Sequence, residues 1–261
     1  MSADSLFSEY ARYYDLLYKD KDYGAEANYV NRLIQQWSPG AKTVLELGAG
    51  TGKHASLLAD LGYVVHGIER SEEMLIDAKR RVKEHKELDP LWNAPSFSLG
   101  DIRSARVSQT FDAVISLFHV MSYQVTNDDL LAAFKTAREH LAAGGVFLFD
   151  VWYGPTVLTD RPVVRVKRMA DAQIEVTRLA EPVMRPNDNV VEVNYHVFIR
   201  NKSSGVVSET KESHLMRYLF MPEIEAFAEA SGFVLQHCEE WMSAKALGFD
   251  TWGACFVLRA V

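Results

Sequence analysis

The sequence is poor in the features that mark secreted, membrane-bound or nucleic-acid-binding proteins. Its only 2 cysteines, Cys238 and Cys255, lack the spacing of metal ligands, so we expect reduced thiols buried in strands and a cytoplasmic, reducing compartment. No apolar run approaches the ~18 residues of a membrane-spanning helix. The first residues also lack the basic and apolar regions of an export signal.

Positive charge is not in excess either. The chain has 28 Lys and Arg against 35 Asp and Glu, for a formal net charge of -7. Such a balance argues against broad electrostatic attraction to nucleic acid or to an anionic membrane. With 261 residues, 48% of them hydrophobic, the chain is long enough to bury a full core, and we expect one domain with an elaboration.

A strand followed by three alternating glycines is the most informative stretch. Residues 43–47 read as an apolar strand, Gly48, Gly50 and Gly52 follow, and a helix with apolar periodicity begins directly after them. Glycine is needed where a chain reverses sharply or where a ligand lies against bare backbone. The free amides at the start of the helix point at whatever occupies the turn. The stretch therefore predicts a cofactor site.

Strand, turn and helix repeat four times before residue 152, which predicts a mostly parallel sheet with helices on both faces. The expected fold is α/β, a Rossmann-like doubly wound sheet of seven strands. Ligands of such sheets bind at the carboxyl ends of the strands. The residues that fall at those ends are Gly48 to Gly52, Glu69, Asp101, His119 and the segment 150–153.

The pattern changes after the fifth strand. Between residues 162 and 220 apolar and polar residues alternate without helical periodicity, and turn-forming residues separate the segments. We expect an inserted antiparallel β-sheet that forms either a wall of the substrate pocket or a homodimer surface. The predicted organisation is an N-terminal helical lid (1–37), a cofactor-binding domain (38–155 and 221–261) and the insert (156–220).

The glycine spacing bears on the identity of the cofactor. A nicotinamide fingerprint, G-x-G-x-x-G, requires a third glycine where this chain has Lys53. The observed motif, an acid at Glu46 followed by alternating glycines, resembles that of the class I S-adenosylmethionine (SAM) dependent methyltransferases. Later segments are similar to that family in the same order, from residue 40 to residue 151: Glu69, Gly100-Asp101, Leu117-Phe118-His119 and 141–146.

This resemblance implies SAM as the cofactor, with S-adenosylhomocysteine as its product and no metal. Glu69 ends the second strand 17 positions after Gly52 (69 - 52 = 17), and a carboxylate there suits the vicinal diol of a ribose. By resemblance, Gly48 and Gly50 face the methionine part of SAM and Glu69 binds the ribose. The remaining implied contacts are Asp101, Ile102 and Met74 around the adenine, with Glu46, Gly52 and Leu117 beside the turn.

A narrower resemblance concerns the acceptor. The N-terminal segment 13–27 and the antiparallel insert are similar to methyltransferases that modify amino groups of nucleotide-linked deoxysugars. In that family a tyrosine near the N-terminus reaches the active site, which implies this role for Tyr14. The segment 118–123 departs from the family pattern, which leaves the family's active-site histidine without a secure counterpart.

The candidate reaction residues lie next to the predicted rim. His119 is the best-placed candidate base, because a hydroxyl acceptor must lose its proton during transfer whereas a neutral amine attacks directly. Tyr14 and Tyr123 are candidate orienting groups, and Trp152 and Tyr153 are candidates to line the acceptor pocket.

We therefore expect a methyltransferase acting on an amino or hydroxyl group of a small molecule, preferably a nucleotide-linked sugar. Two alternatives stay open on the sequence: a nicotinamide-dependent oxidoreductase and a catalytically silent SAM-binding subunit. RNA and protein acceptors are disfavoured by the acidic pI of about 5.6 and by the lack of a basic run interleaved with aromatic residues.

Overall fold

The computed structural model describes residues 16–17 and 21–261. The chain divides into two compact units. The core unit comprises Tyr23–Asp160 and Arg217–Val261, and the antiparallel unit comprises Arg161–Met216 with the described residues 16–17 and 21–22. These bounds differ from the predicted domains at two places. The helix Tyr23–Trp37 belongs to the core unit and not to a lid, and the short helix Gly154–Thr159 belongs to the core unit and not to the insert.

The core unit contains the predicted parallel sheet. Strands β1 to β5 are parallel and ordered β3-β2-β1-β4-β5. Strand β11 pairs antiparallel with β5, and β10 pairs antiparallel with β11, so the predicted seven-stranded doubly wound sheet is confirmed. The bounds are β1 (Thr43–Leu47), β2 (Val64–Glu69), β3 (Ser96–Leu99), β4 (Phe111–Ser116), β5 (Leu141–Tyr153), β10 (Phe233–Glu240) and β11 (Gly253–Ala260).

Helices connect these strands. They are α1 (Tyr23–Trp37), α2 (Lys53–Asp60), α3 (Glu72–Leu88), α4 (Asn127–Glu139), α5 (Gly154–Thr159) and α6 (Met221–Ala230), with a 3-10 turn at Val120–Tyr123. Ser71 caps α3 by accepting a hydrogen bond from the Met74 amide at 3.2 Å. Thr126 caps α4 by accepting a hydrogen bond from the Asp129 amide at 3.0 Å.

The sheet separates two apolar cores. One contains Phe134, Phe147 and Phe149, and the other contains Leu33 and Ile34 of α1 against the opposite face of the sheet. Helix α1 was grouped with the predicted lid, but its inner residues are fully buried. The rest of that lid, including Tyr14, lies outside the described residues apart from positions 16–17 and 21–22. Both cysteines are free thiols; Cys255 is buried and Cys238 only partly so.

The antiparallel unit is built from four strands, β6 (Arg165–Ala170), β7 (Ile174–Arg185), β8 (Val190–Asn201) and β9 (Val207–Leu219), in the order β6-β7-β8-β9. Alternate residues of β7 and β8, among them Val176 and Val197, form a small apolar cluster with Leu17. The end of β9 belongs to the core unit, where Tyr218 and Leu219 pair in parallel with the end of β5.

Candidate cofactor and active site

The carboxyl ends of the parallel strands bring the predicted cofactor residues to one rim. The glycine turn follows β1, Glu69 ends β2, Asp101 follows β3 and Leu117 follows β4. Because β1 pairs with both β2 and β4, the glycine turn lies at the centre of this rim. The rim corresponds to the ligand-binding edge expected of an open α/β sheet.

The three glycines of the turn all have positive φ, at 80° for Gly48, 55° for Gly50 and 71° for Gly52. A Cβ on Gly48 would meet Val120 at 2.7 Å, and one on Gly52 would meet Phe97 at 2.7 Å. A Cβ on Gly50 would instead meet nothing nearer than the Met74 sulfur at 4.0 Å. Space is therefore left over Gly50 beside Met74, as a ligand lying against the backbone requires.

Glu69 is buried at this rim and holds the glycine turn in place. Its Oε2 accepts a hydrogen bond from the Gly50 amide and its Oε1 accepts one from the Ser71 amide, each at 2.8 Å. A carboxylate has about four acceptor positions, so two remain for further donors. The arrangement fits the predicted ribose diol.

Glu46 is a deeply buried acid of the rim, with 1% of its surface exposed. Burial, together with the charge of Glu69, raises the pKa of Glu46 to about 8, although an Ala55 amide hydrogen bond opposes the shift. Its Oε2 has no hydrogen-bond partner. A buried carboxyl oxygen without a partner suits a ligand group that carries a positive charge or a hydrogen-bond donor.

Asp101 stands at the rim, but its carboxylate is bound by Arg103. The Arg103 guanidinium donates to both oxygens, at 2.9 and 2.5 Å, and also to Asp129 at 2.7 Å. The Arg103 hydrogen bonds lower the pKa of Asp101. Ile102 is buried next to it. The sequence analysis named Asp101 and missed Arg103. The signal that could have found it is an arginine only two residues after the aspartate, close enough to bind its carboxylate.

His119 follows β4 and is held by Asp150, a residue that the sequence placed only within the end of β5. The Asp150 Oδ2 atom accepts a hydrogen bond from the His119 amide at 3.1 Å and lies 2.6 Å from His119 Nδ1. The ring nitrogen is not aligned for a regular hydrogen bond, so this contact is an electrostatic one. The Asp150 side chain is 2% exposed and that of His119 is 28% exposed.

The backbone at this position is unusual. Phe118 and His119 both have positive φ, 65° and 61°, a backbone region that residues other than glycine seldom adopt. Observed outliers of this kind are concentrated at functional sites.

Aromatic rings surround His119. The ring centroid of Trp152 lies 6.4 Å from that of His119 and 6.1 Å from that of Trp252. The Trp252 indole donates to Asp160 at 3.2 Å. Tyr153 extends from the other side of β5 into the core that contains Phe149, since successive strand residues face opposite ways.

Two further predicted residues complete the set. Tyr123 ends the 3-10 turn after His119 and is 46% exposed, and Leu117, 2% exposed, packs in the core beneath the rim.

Within residues 16–17 and 21–261, no cluster of three or more His, Cys, Asp or Glu side chains is arranged for a metal ion. No helix in the described part of the chain is long and apolar enough to cross a membrane.

Comparison with known proteins assigns the family. Residues 44–145 match the family described as "Methyltransferase domain". The chain is 30% identical over 241 residues to dTDP-3-amino-3,4,6-trideoxy-alpha-D-glucopyranose N,N-dimethyltransferase of Streptomyces venezuelae, covering 92% of this chain and 96% of that protein. It is 27% identical to dTDP-3-amino-3,6-dideoxy-alpha-D-glucopyranose N,N-dimethyltransferase of Streptomyces fradiae, with 92% and 89% coverage.

A solved structure agrees. The crystal structure of Streptomyces venezuelae DesVI superposes with a TM-score of 0.79 at 26% identity, over 97% of this chain and 98% of that one. The nicotinamide alternative is not favoured by these relatives. The chain belongs to the SAM-dependent methyltransferase family.

Proposed function

We propose that this protein methylates the amino group of a nucleotide-linked aminodeoxysugar. The observation that carries the proposal is the extent of the match: 96% of the Streptomyces venezuelae N,N-dimethyltransferase is covered, so the relation includes the antiparallel unit as well as the cofactor-binding unit. A likeness confined to residues 44–145 would support only methyl transfer. The two named relatives both act on amino groups, which favours nitrogen over oxygen as the acceptor atom.

The cofactor residues fit SAM. The cradle over Gly50, the free acceptor positions of Glu69 and the unpartnered oxygen of Glu46 match a ligand with a diol and a cationic amino acid end. SAM supplies an electrophilic methyl group on a sulfonium. Gly48 and Gly50 would take its methionine part, Glu69 its ribose, and Met74 and Ile102 its adenine. Asp101 would border the adenine, with its carboxylate held by Arg103.

His119 and Asp150 would prepare the acceptor. An aliphatic amine is mostly protonated near neutral pH and must lose a proton before its lone pair can attack. Because Nδ1 of His119 faces the Asp150 carboxylate, Nε2 is the nitrogen able to accept that proton and pass it to solvent. A second methylation would repeat the same deprotonation on the secondary amine.

Positioning is expected to contribute more than proton transfer. Methyl transfer is an in-line displacement, and holding the two reactants in line removes much of its entropic barrier. Trp152 and Trp252 would bound the acceptor beside His119, and Tyr123 and Tyr14 would orient it. Tyr153 is packed in the core, so we assign it to the shape of the acceptor wall and not to direct contact.

The test is a transfer assay with SAM and matched acceptors. A dTDP-linked aminodeoxysugar and its analogue with a hydroxyl in place of the amine would be incubated separately, and the products analysed by mass spectrometry. We expect one or two methyl additions to the amine and none to the hydroxyl analogue. Methylation of the hydroxyl analogue alone would refute the proposed acceptor. So would methylation of neither sugar, provided that the protein binds S-adenosylhomocysteine in calorimetry.

A further inference from the structure

A buried chain of side chains connects helix α1 to the cofactor rim. Glu26 lies in the first turn of α1, and His54 lies at the start of α2, two residues after Gly52. The Nε2 atom of His54 is 2.8 Å from Glu26 Oε2, and the two side chains are 9% and 12% exposed. Breaking such a buried pair costs more than breaking one on the surface, because the remaining member would be a buried polar group without a partner.

The other ring nitrogen of His54 points towards the cofactor rim. His54 Nδ1 lies 3.9 Å from Glu46 Oε1, so both ring nitrogens face carboxyl groups. The second carboxyl oxygen of Glu46 has no partner. The charge of Glu69 also acts on Glu46, and Lys53 lies nearby, with its Nζ 4.7 Å from the Tyr23 ring centroid.

We propose that Glu26 and His54 form a latch that joins α1 to the cofactor cradle through Glu46, so that docking of α1 and binding of the cofactor strengthen each other. Glu46 is a cofactor residue by family resemblance, whereas neither latch residue was among the predicted site residues. His54 acts as a positioning residue: it fixes where the Glu46 carboxyl stands, and Glu26 fixes His54. The inference rests on SAM being the cofactor and is independent of the acceptor.

Thermodynamic reciprocity makes the latch measurable. If α1 docking strengthens cofactor affinity, then cofactor binding must stabilise the docked start of α1 by the same free energy. A latch that served folding alone would lower stability when broken but would leave the affinity of the folded protein unchanged.

The experiment compares four variants with the wild-type protein. Glu26→Ala and His54→Ala break the latch, and Glu26→Gln keeps its shape without the charge. Tyr63→Phe is the matched control, because the Tyr63 hydroxyl joins α1 to the sheet through Asn31 and Gln35, each at 2.7 Å. Tyr63 precedes β2 and so lies at the end of the sheet opposite the rim.

Affinity for S-adenosylhomocysteine would be measured by calorimetry. We expect the two alanine variants to bind about 5- to 20-fold more weakly, within the usual range of site-to-site coupling. Glu26→Gln should recover part of the loss, and Tyr63→Phe should bind like wild type even though its unfolding temperature falls.

Hydrogen exchange supplies a second readout that does not depend on affinity. Saturating S-adenosylhomocysteine should slow exchange of the first amides of α1 in wild type and in Tyr63→Phe, but not in His54→Ala. Wild-type affinity in both alanine variants, or equal protection of α1 in His54→Ala, would overturn the latch. Failure of the wild-type protein to bind S-adenosylhomocysteine would instead overturn the cofactor assignment, and the two failures are therefore distinguishable.

Discussion

The buried Glu46 carboxyl predicts an unusual dependence of stability on pH. Its pKa is raised from 4.5 to about 8 in the folded protein, chiefly by burial and next by the charge of Glu69. Between these two values the folded state keeps a proton that the unfolded state has lost. Stability contributed by this group is therefore fully present below pH 4.5 and is lost as the pH rises towards 8.

The magnitude follows from the shift. At about 1.4 kcal/mol for each pH unit between the pKa of 4.5 and the raised pKa of about 8, the ceiling is about 5 kcal/mol. Glu46→Gln replaces the carboxyl with a neutral amide of the same shape and removes this loss. We expect the variant to match the wild type at pH 5 and to exceed it by a few kcal/mol near pH 8.5.

The assay is urea unfolding of the cofactor-free proteins across that pH range. Glu87→Gln, at an exposed position of α3, is the matched control and should differ from wild type by the same small amount at every pH. A Glu46→Gln difference that stays flat from pH 5 to pH 8.5 would refute the reasoning, because it would mean that Glu46 ionises in the folded protein as it does in the unfolded chain.

Three further outcomes are expected. Gly50→Ala should weaken binding of S-adenosylhomocysteine in calorimetry and should lower stability only by the ~1 kcal/mol cost of a positive φ. Gly52→Ala should lower stability more, because its Cβ would meet Phe97 at 2.7 Å. A larger loss of stability in Gly50→Ala than in Gly52→Ala would contradict the two roles. Asp150→Asn should lower kcat by tenfold or more, because general-base assistance is typically worth ~10²-fold. Its affinity for S-adenosylhomocysteine in calorimetry should not change. An unchanged kcat would show that Asp150 has no part in the reaction. Thr126→Ala should cost ~1 kcal/mol in urea unfolding through loss of the α4 cap, and no cost would mean that the cap hydrogen bond adds nothing to stability.

The parallel sheet could be predicted from sequence because each of its signals is local. The strands β1 and β4 are short apolar runs buried on both faces, as parallel strands require. The turn glycines and the Ser71 cap are equally local, since each answers a requirement of its own backbone. The fold class and the convergence of the strand ends on one rim follow from such signals together with right-handed crossovers.

Contacts between distant residues could not be predicted in this way. The pairing of Glu26 with His54 joins positions 28 apart, and that of His119 with Asp150 joins positions 31 apart. Nothing in the spacing of either pair marks them, because they meet only once the sheet has formed. The nearest signal was the strand-end rule, which placed His119 and the 150–153 segment on one rim without showing that they touch.

The glycine turn shows why a motif can identify a cofactor while saying little about an acceptor. Gly48 and Gly52 are required by the protein itself, since Val120 and Phe97 occupy the space of a side chain. Only Gly50 leaves that space open, so only this glycine reports on a ligand. A strand-turn-helix unit with the same packing would need glycine at the positions of Gly48 and Gly52 for any bound ligand, and also without one. The assignment to SAM therefore depends also on the acids around the turn: Glu69, which accepts a hydrogen bond from the Gly50 amide, and the buried Glu46, on which the charge of Glu69 acts.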